Sequence, residues 1–192
     1  GELLHSSVKE RQAWADHAES YLDEVRALVQ TSLLKAWAAA WATRLGVEDQ
    51  DVDRIKYGLI DPFFRAFAGW DLSRSLRTMC DFPTYEGDVH SFAERIARDA
   101  ATKAPHAASV SDLAAWLETY RAKLTAEGRP TSHVAMHMKR ANPRFVLRNW
   151  ITDLVAEQLA SSNDTKLLER VRAMCAAPFE AYDAPDDASL CE

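Results

Sequence analysis

Apolar residues recur at spacings of three and four along almost the whole chain, and nowhere do they alternate over the length of a strand. That period puts side chains on one face of an α-helix and argues against a sheet. Only six glycines interrupt 192 residues, while Ala, Leu, Glu and Arg are plentiful. The expected fold is all-α: a single helical domain of about seven to eight helices over residues 1–178. An acidic, Pro-containing, loosely ordered tail is expected over 179–192.

A long first helix is expected from about Val8 to Leu45, stopped by Gly46 as its C-cap. Its stripe runs Leu22, Val25, Val29, Leu33, Trp37 and Trp41. A second helix follows the acidic start at Glu48–Asp51 and ends or kinks at Asp61-Pro62. A short piece, Phe63–Phe67, precedes Gly69. Asp71 and Ser73 suit the start of a helix through Met79, and further helices are placed near Asp88–Lys103, Ser111–Glu127 and Thr131–Arg140. Asn142-Pro143 reads as a cap and first residue of the next helix. That helix carries Val146, Trp150, Leu154 and Leu147, Ile151, Val155 on adjoining rows. Asn163-Asp164 breaks it, and a last helix runs through Ala176.

Composition excludes several classes. Six Trp, five Tyr and seven Phe supply enough apolar bulk for a core, so the chain is not disordered. A net charge of −6 gives no general attraction to nucleic acid or to an anionic membrane, and neither partner is expected. No apolar run spans a bilayer, and no signal-peptide pattern opens the chain. Three cysteines, Cys80, Cys175 and Cys191, do not make a disulfide framework, which favours a reducing compartment over secretion. The opening at Gly1, without Met, reads as a processed or cut product.

Motifs for chemistry are few. His133 and His137 lie four apart on one helix face, but His133-Val-Ala-Met-His137 lacks the Glu of a hydrolytic zinc pair, and no third ligand is near. An exposed or capped pair is the preferred reading. Asp51/Asp53 and Asp186/Asp187 read as a helix start and a solvated tail. No Gly-rich phosphate loop and no nucleophile elbow occur, so no catalytic, cofactor or metal residue is assigned. Arg140, Arg144 and Arg148 would form a basic stripe if one helix direction held across Asn142-Pro143. A solvated face is preferred for it over a contact with phosphate or neighbouring carboxylates. Arg148, between Leu147 and Trp150, is expected to pair internally. Cys80 and Cys175 read as core residues, and Cys191 as an exposed tail thiol.

The run Met138-Lys-Arg-Ala-Asn142-Pro143-Arg144-Phe145-Val146-Leu147-Arg148-Asn149-Trp150 resembles a signature near the end of selenoprotein O proteins. Other pieces follow in the family's order: Trp37-Ala-Ala-Ala-Trp41-Ala-Thr-Arg44-Leu45-Gly46, Asp71-Leu-Ser73-Arg-Ser-Leu76-Arg77, Asp112 to Leu124 with Trp116 and Tyr120, and Leu167-Leu168 through Pro178-Phe179. The resemblance implies the C-terminal part of a kinase-like protein adenylyltransferase. Such proteins move AMP from ATP to Ser, Thr or Tyr hydroxyls of proteins with Mg or Mn, and are mitochondrial in eukaryotes and cytoplasmic in bacteria.

The family's ATP, metal and catalytic residues precede everything matched here, so none is carried over. The chain alone is then expected to bind no cofactor; its partners would be the kinase-like core of the same protein and the protein substrates. Asn142, Pro143, Arg144, Arg148, Asn149 and Trp150 are its signature residues, structural or docking. Val146, Trp150 and the Arg144/Arg148 row are candidates for that contact or for the internal core. Cys191 is the counterpart of the family's terminal redox position, with a regulatory disulfide as the expectation. The alternative is a free-standing helical interaction module without activity.

Overall fold

A computed structural model of the chain describes residues 2–49, 51–102, 108–180 and 190. Among them no strand occurs, and the all-α expectation holds. Cys191 and the Lys103 end of the helix predicted from Asp88 lie outside the described residues. Contacts divide the chain into two units, Gly1–Ala40 and Trp41–Glu192.

The first unit is most of one helix, α1, which spans Glu2–Arg44 in all. Several of its large apolar side chains are open, Leu28 at 68% and Leu33 at 64% exposure. Leu22 and Val29 of the predicted stripe are exposed too.

The second unit begins with the last turn of α1. Gly46 ends that turn at φ +65°, a left-handed conformation that disfavours side chains. A Cβ there would lie 2.8 Å from both Met138 Cγ and Val134 Cγ1, so the close approach also requires glycine.

Asp51 caps α2 (Val52–Ile55) by accepting from Arg54 N–H. A wide turn at Lys56–Ile60 joins it to α3 (Asp61–Ala66), with Asp61 N–H reaching back five residues to Lys56 O. Pro62 has no N–H to offer the Gly58 carbonyl four residues earlier, and the helix is widened in the turn just before it. Next to that turn, the Leu59 carbonyl accepts the indole N–H of Trp116 at 3.1 Å.

Asp71 caps α4 (Leu72–Met79), and Asp88 caps α5 (Val89–Asp99). Ser109 and Asp112 form a reciprocal capping box at α6 (Val110–Glu127). Leu113, Trp116, Leu117 and Tyr120 of α6 are all buried, and Trp116 and Tyr120 stack against each other at 4.9 Å. Burial pushes the Tyr120 phenol far above its usual pKa, and its O–H donates to Leu45 O.

α7 (Thr131–Ala141) matches the predicted Thr131–Arg140 helix, and the sequence reading fails just after it. Asn142-Pro143 does not start a helix: Asn142 sits at φ −116°, ψ 107°, and α8 begins only at Asn149 (Asn149–Ser162). Residues 143–148 join the two helices as a non-helical strap. Their backbone is engaged elsewhere, since Arg144 and Phe145 N–H both donate to Pro178 O, at 2.8 and 3.0 Å. The continuous Arg140–Arg144–Arg148 stripe therefore does not form.

Asn163, at φ 53°, turns α8 into α9 (Lys166–Ala176). Phe145, Ile151, Val155, Val171, Met174 and Leu190 make the small core between them. Trp150 and Leu154, on the other face of α8, are 45% and 41% exposed. Cys175 is exposed, contrary to its core assignment. The buried face of α9 is Val171 and Met174, and one residue further the helix has turned about 100° toward solvent.

Candidate functional site

The signature strap is fixed at both ends by polar contacts, buried or half-buried. At its start Asn142, 1% exposed, donates its side-chain amide to Arg44 O at 2.8 Å and to Met138 O at 3.0 Å. One amide thus joins the end of α1 to the end of α7. Arg77, on α4, donates to the carbonyls of Asn142 (3.0 Å) and Lys139 (3.2 Å). Cys80 lies beneath them, fully buried, its thiol donating to Leu76 O; burial pushes its pKa up and keeps it a thiol.

At the far end Arg148 donates to Asp71 at 2.7 Å, with side chains 33% and 18% exposed. The internal pairing expected for Arg148 is present. Asp71 has two tasks, since it also caps α4 through Arg74 N–H at 2.9 Å. Beside this network Asp81 gathers Arg95 and Lys139, each at 2.8 Å. Burial would raise the Asp81 carboxyl, and these two cations outweigh it and hold it below the usual carboxylate range.

Between α4 and the strap lies a cleft of about 200 Å³. Arg74 and Arg77 line one side, Pro143, Arg144, Val146 and Arg148 the other, and Leu190 closes on it. Of the signature residues, Pro143, Arg144 and Arg148 therefore meet at one place, and Asn142 anchors it from behind. Asn149 and Trp150 stand apart, exposed on α8.

His133 and His137 are both exposed on α7. Among the described residues no group of three or more His, Cys, Asp or Glu stands where it could hold a metal ion. The sequence reading missed Arg74 and Arg77 as neighbours of the strap. The signal was present, because Asp71–Arg77 is one of the segments that carry the family resemblance.

A family model described as protein adenylyltransferase SelO matches residues 4–176. The chain belongs to this family. Among SelO-type relatives, the protein nucleotidyltransferase YdiU of Ralstonia nicotianae is 38% identical over 68 residues, 35% of this chain and 13% of that protein. That of Paraburkholderia xenovorans is 40% identical over 86 residues, 41% of this chain and 16% of the relative. The matched stretches are thus a small part of these proteins' length. Among the described residues no helix is long and apolar enough to cross a membrane.

The Arg148–Asp71 pair gives a first expected result. Arg148→Ala should lower stability by about 1–2 kcal/mol, since it leaves a half-buried carboxylate without its cation. In a double-mutant cycle with Asp71→Asn, read by urea denaturation, the coupling should reach about 1 kcal/mol, at the top of the range for exposed pairs. Coupling near zero would mean that the pair does not hold the strap.

Proposed function

We propose that this chain is the C-terminal helical part of a SelO-type protein nucleotidyltransferase, which moves AMP from ATP to Ser, Thr or Tyr hydroxyls of proteins. In this reading the chain braces or regulates a kinase-like core and does not perform the transfer itself. The observation that carries the proposal is the family match over residues 4–176, joined to relatives of which the matched stretches are only 13% and 16%.

ATP and Mg or Mn belong to the kinase-like part. The matched relatives are bacterial, which supports a cytoplasmic placement. Cys191 is assigned the regulatory disulfide with the core.

Exposed apolar side chains support a docking role, because a surface that meets another domain keeps large apolar groups open when that domain is absent. On α8 these are Trp150 and Leu154. Arg148 is committed to Asp71, so the contact with the core falls to this pair rather than to Arg148.

The test begins with the mass of the native polypeptide in its source, detected with an antibody raised against this chain. A product longer than 192 residues that transfers AMP from ATP is expected, with Trp150→Glu lowering its yield or activity. A native product of this length, inactive with ATP and recovered with protein partners, would put the free-standing interaction module in its place.

A further inference from the structure

The cleft between α4 and the strap has an unusual charge balance for an acidic chain. Four guanidinium groups, Arg74, Arg77, Arg144 and Arg148, line it, against Asp99 in the lining and Asp71 behind Arg148. Counted over these described residues the local charge is positive by two, in a chain whose net charge is −6.

The two carboxylates are engaged already. Asp71 holds Arg148 and the α4 cap, and Asp99 accepts from the Thr78 hydroxyl at 3.1 Å and stands 3.6 Å from Arg95. Arg77 is oriented by the Lys139 and Asn142 carbonyls, which direct its guanidinium without neutralising it. Arg74 and Arg144 line the cleft half-buried, and among the described residues neither has a carboxylate partner. The Ser73 hydroxyl, also in the lining, has no partner among the described residues either. Like charges brought together at a half-desolvated site repel, and a bound anion relieves that repulsion.

We propose that this cleft is a binding site for a phosphate monoester. Guanidinium forks match phosphate oxygens two at a time, and a tetrahedral dianion offers enough oxygens for several arginines at once. A volume of about 200 Å³ is below the roughly 300–1,000 Å³ of pockets that enclose a whole ligand, so the cleft takes the phosphoryl head and leaves the rest outside. Arg74 and Arg144 make the charged contact, with Arg77 and Arg148 as the fixed walls and Ser73 as a neutral donor. The helix terminus adds little, because the Asp71 carboxylate already occupies it.

The site is tested on the 192-residue chain by calorimetric titration with inorganic phosphate and with phosphoserine at constant ionic strength. Saturable binding is expected, weakened about tenfold or more in Arg74→Ala and in Arg144→Ala, which is at least 1.4 kcal/mol for each. Arg144→Lys keeps the charge and loses the fork, so it should fall between. Arg98→Ala, outside the cleft, should bind as the parent does, and thermal melts should show each variant folded. A phosphoserine peptide that binds tighter than either small ligand identifies a phosphoprotein as the source; equal affinities identify a free ester. Absence of saturable phosphate binding, or binding unchanged in Arg74→Ala and Arg144→Ala, would overturn the proposal.

Discussion

Phe63→Ala is expected to lower the stability of the chain by about 3–5 kcal/mol, the cost of emptying a fully buried aromatic site. Phe63 is 0% exposed and touches every ring around it: Phe67 stacked at 4.2 Å, Trp116 edge-on at 5.3 Å, Trp41 at 5.5 Å and Phe64 at 5.7 Å. Removing it forfeits the transfer energy of the ring and the aromatic contacts together. Phe64→Ala is the control: its ring is 41% exposed, and the loss should be about 1 kcal/mol. Urea midpoints of the two variants measure the difference, and equal losses would show that the cluster repacks around the hole.

Asn142→Asp should have an effect of similar size from a change of one atom's chemistry. The amide of Asn142 gives both of its N–H groups to the carbonyls of Arg44 and Met138. A carboxylate in that place turns two attractions into two repulsions, in a position 1% exposed. The expected loss at pH 7 is about 3–5 kcal/mol, the range for a buried charge without a partner. Arg77, bonded to the backbone oxygen of the same residue, softens that loss without removing it. The sign with pH follows from desolvation, which raises the folded-state pKa of the new carboxyl above its unfolded value near 3.9. The penalty is therefore complete at neutral pH and shrinks as pH falls toward 4, because a protonated Asp recovers one donor. Denaturation of variant and parent at pH 7 and pH 4.5 separates this from simple misfit, which would give the same difference at both.

Much of the helical architecture was legible because its signals are local. Asp71 and Asp88 sit where helices start, and Gly46 and Asn163 sit in the left-handed turns that end them, while the Ser109–Asp112 box begins its helix one residue before the expected Ser111. Pro62 marked the place where a widened turn precedes α3. The strap was not legible, and for one reason: its partners are remote. Asn142-Pro143 has the local chemistry of a helix start, but Arg44, Arg77 and Pro178 hold it extended, and nothing within a few residues of Asn142 records those bonds. The same holds for the cleft. Arg144 and Arg148 were visible as a row, while Arg74 and Arg77 reach them only through the tertiary fold. Cys175 failed differently, by one position on a helix whose buried face is only two residues wide.

The carbonyl of Pro178 that receives two N–H groups of the strap also sets an order of events. During synthesis the end of α1 leaves the ribosome 98 residues before the Asn142 amide that binds Arg44 O, and the strap follows Asn142 directly. The oxygen that holds Arg144 and Phe145 in place emerges another 30-odd residues later, on the far side of α9. Until then the strap has no acceptor for those two donors, and the wall of the cleft that carries Arg144 is unfixed. The strap thus locks only after α9 has emerged. A ribosome that stops short of Pro178 releases helices that have formed but a signature that has not.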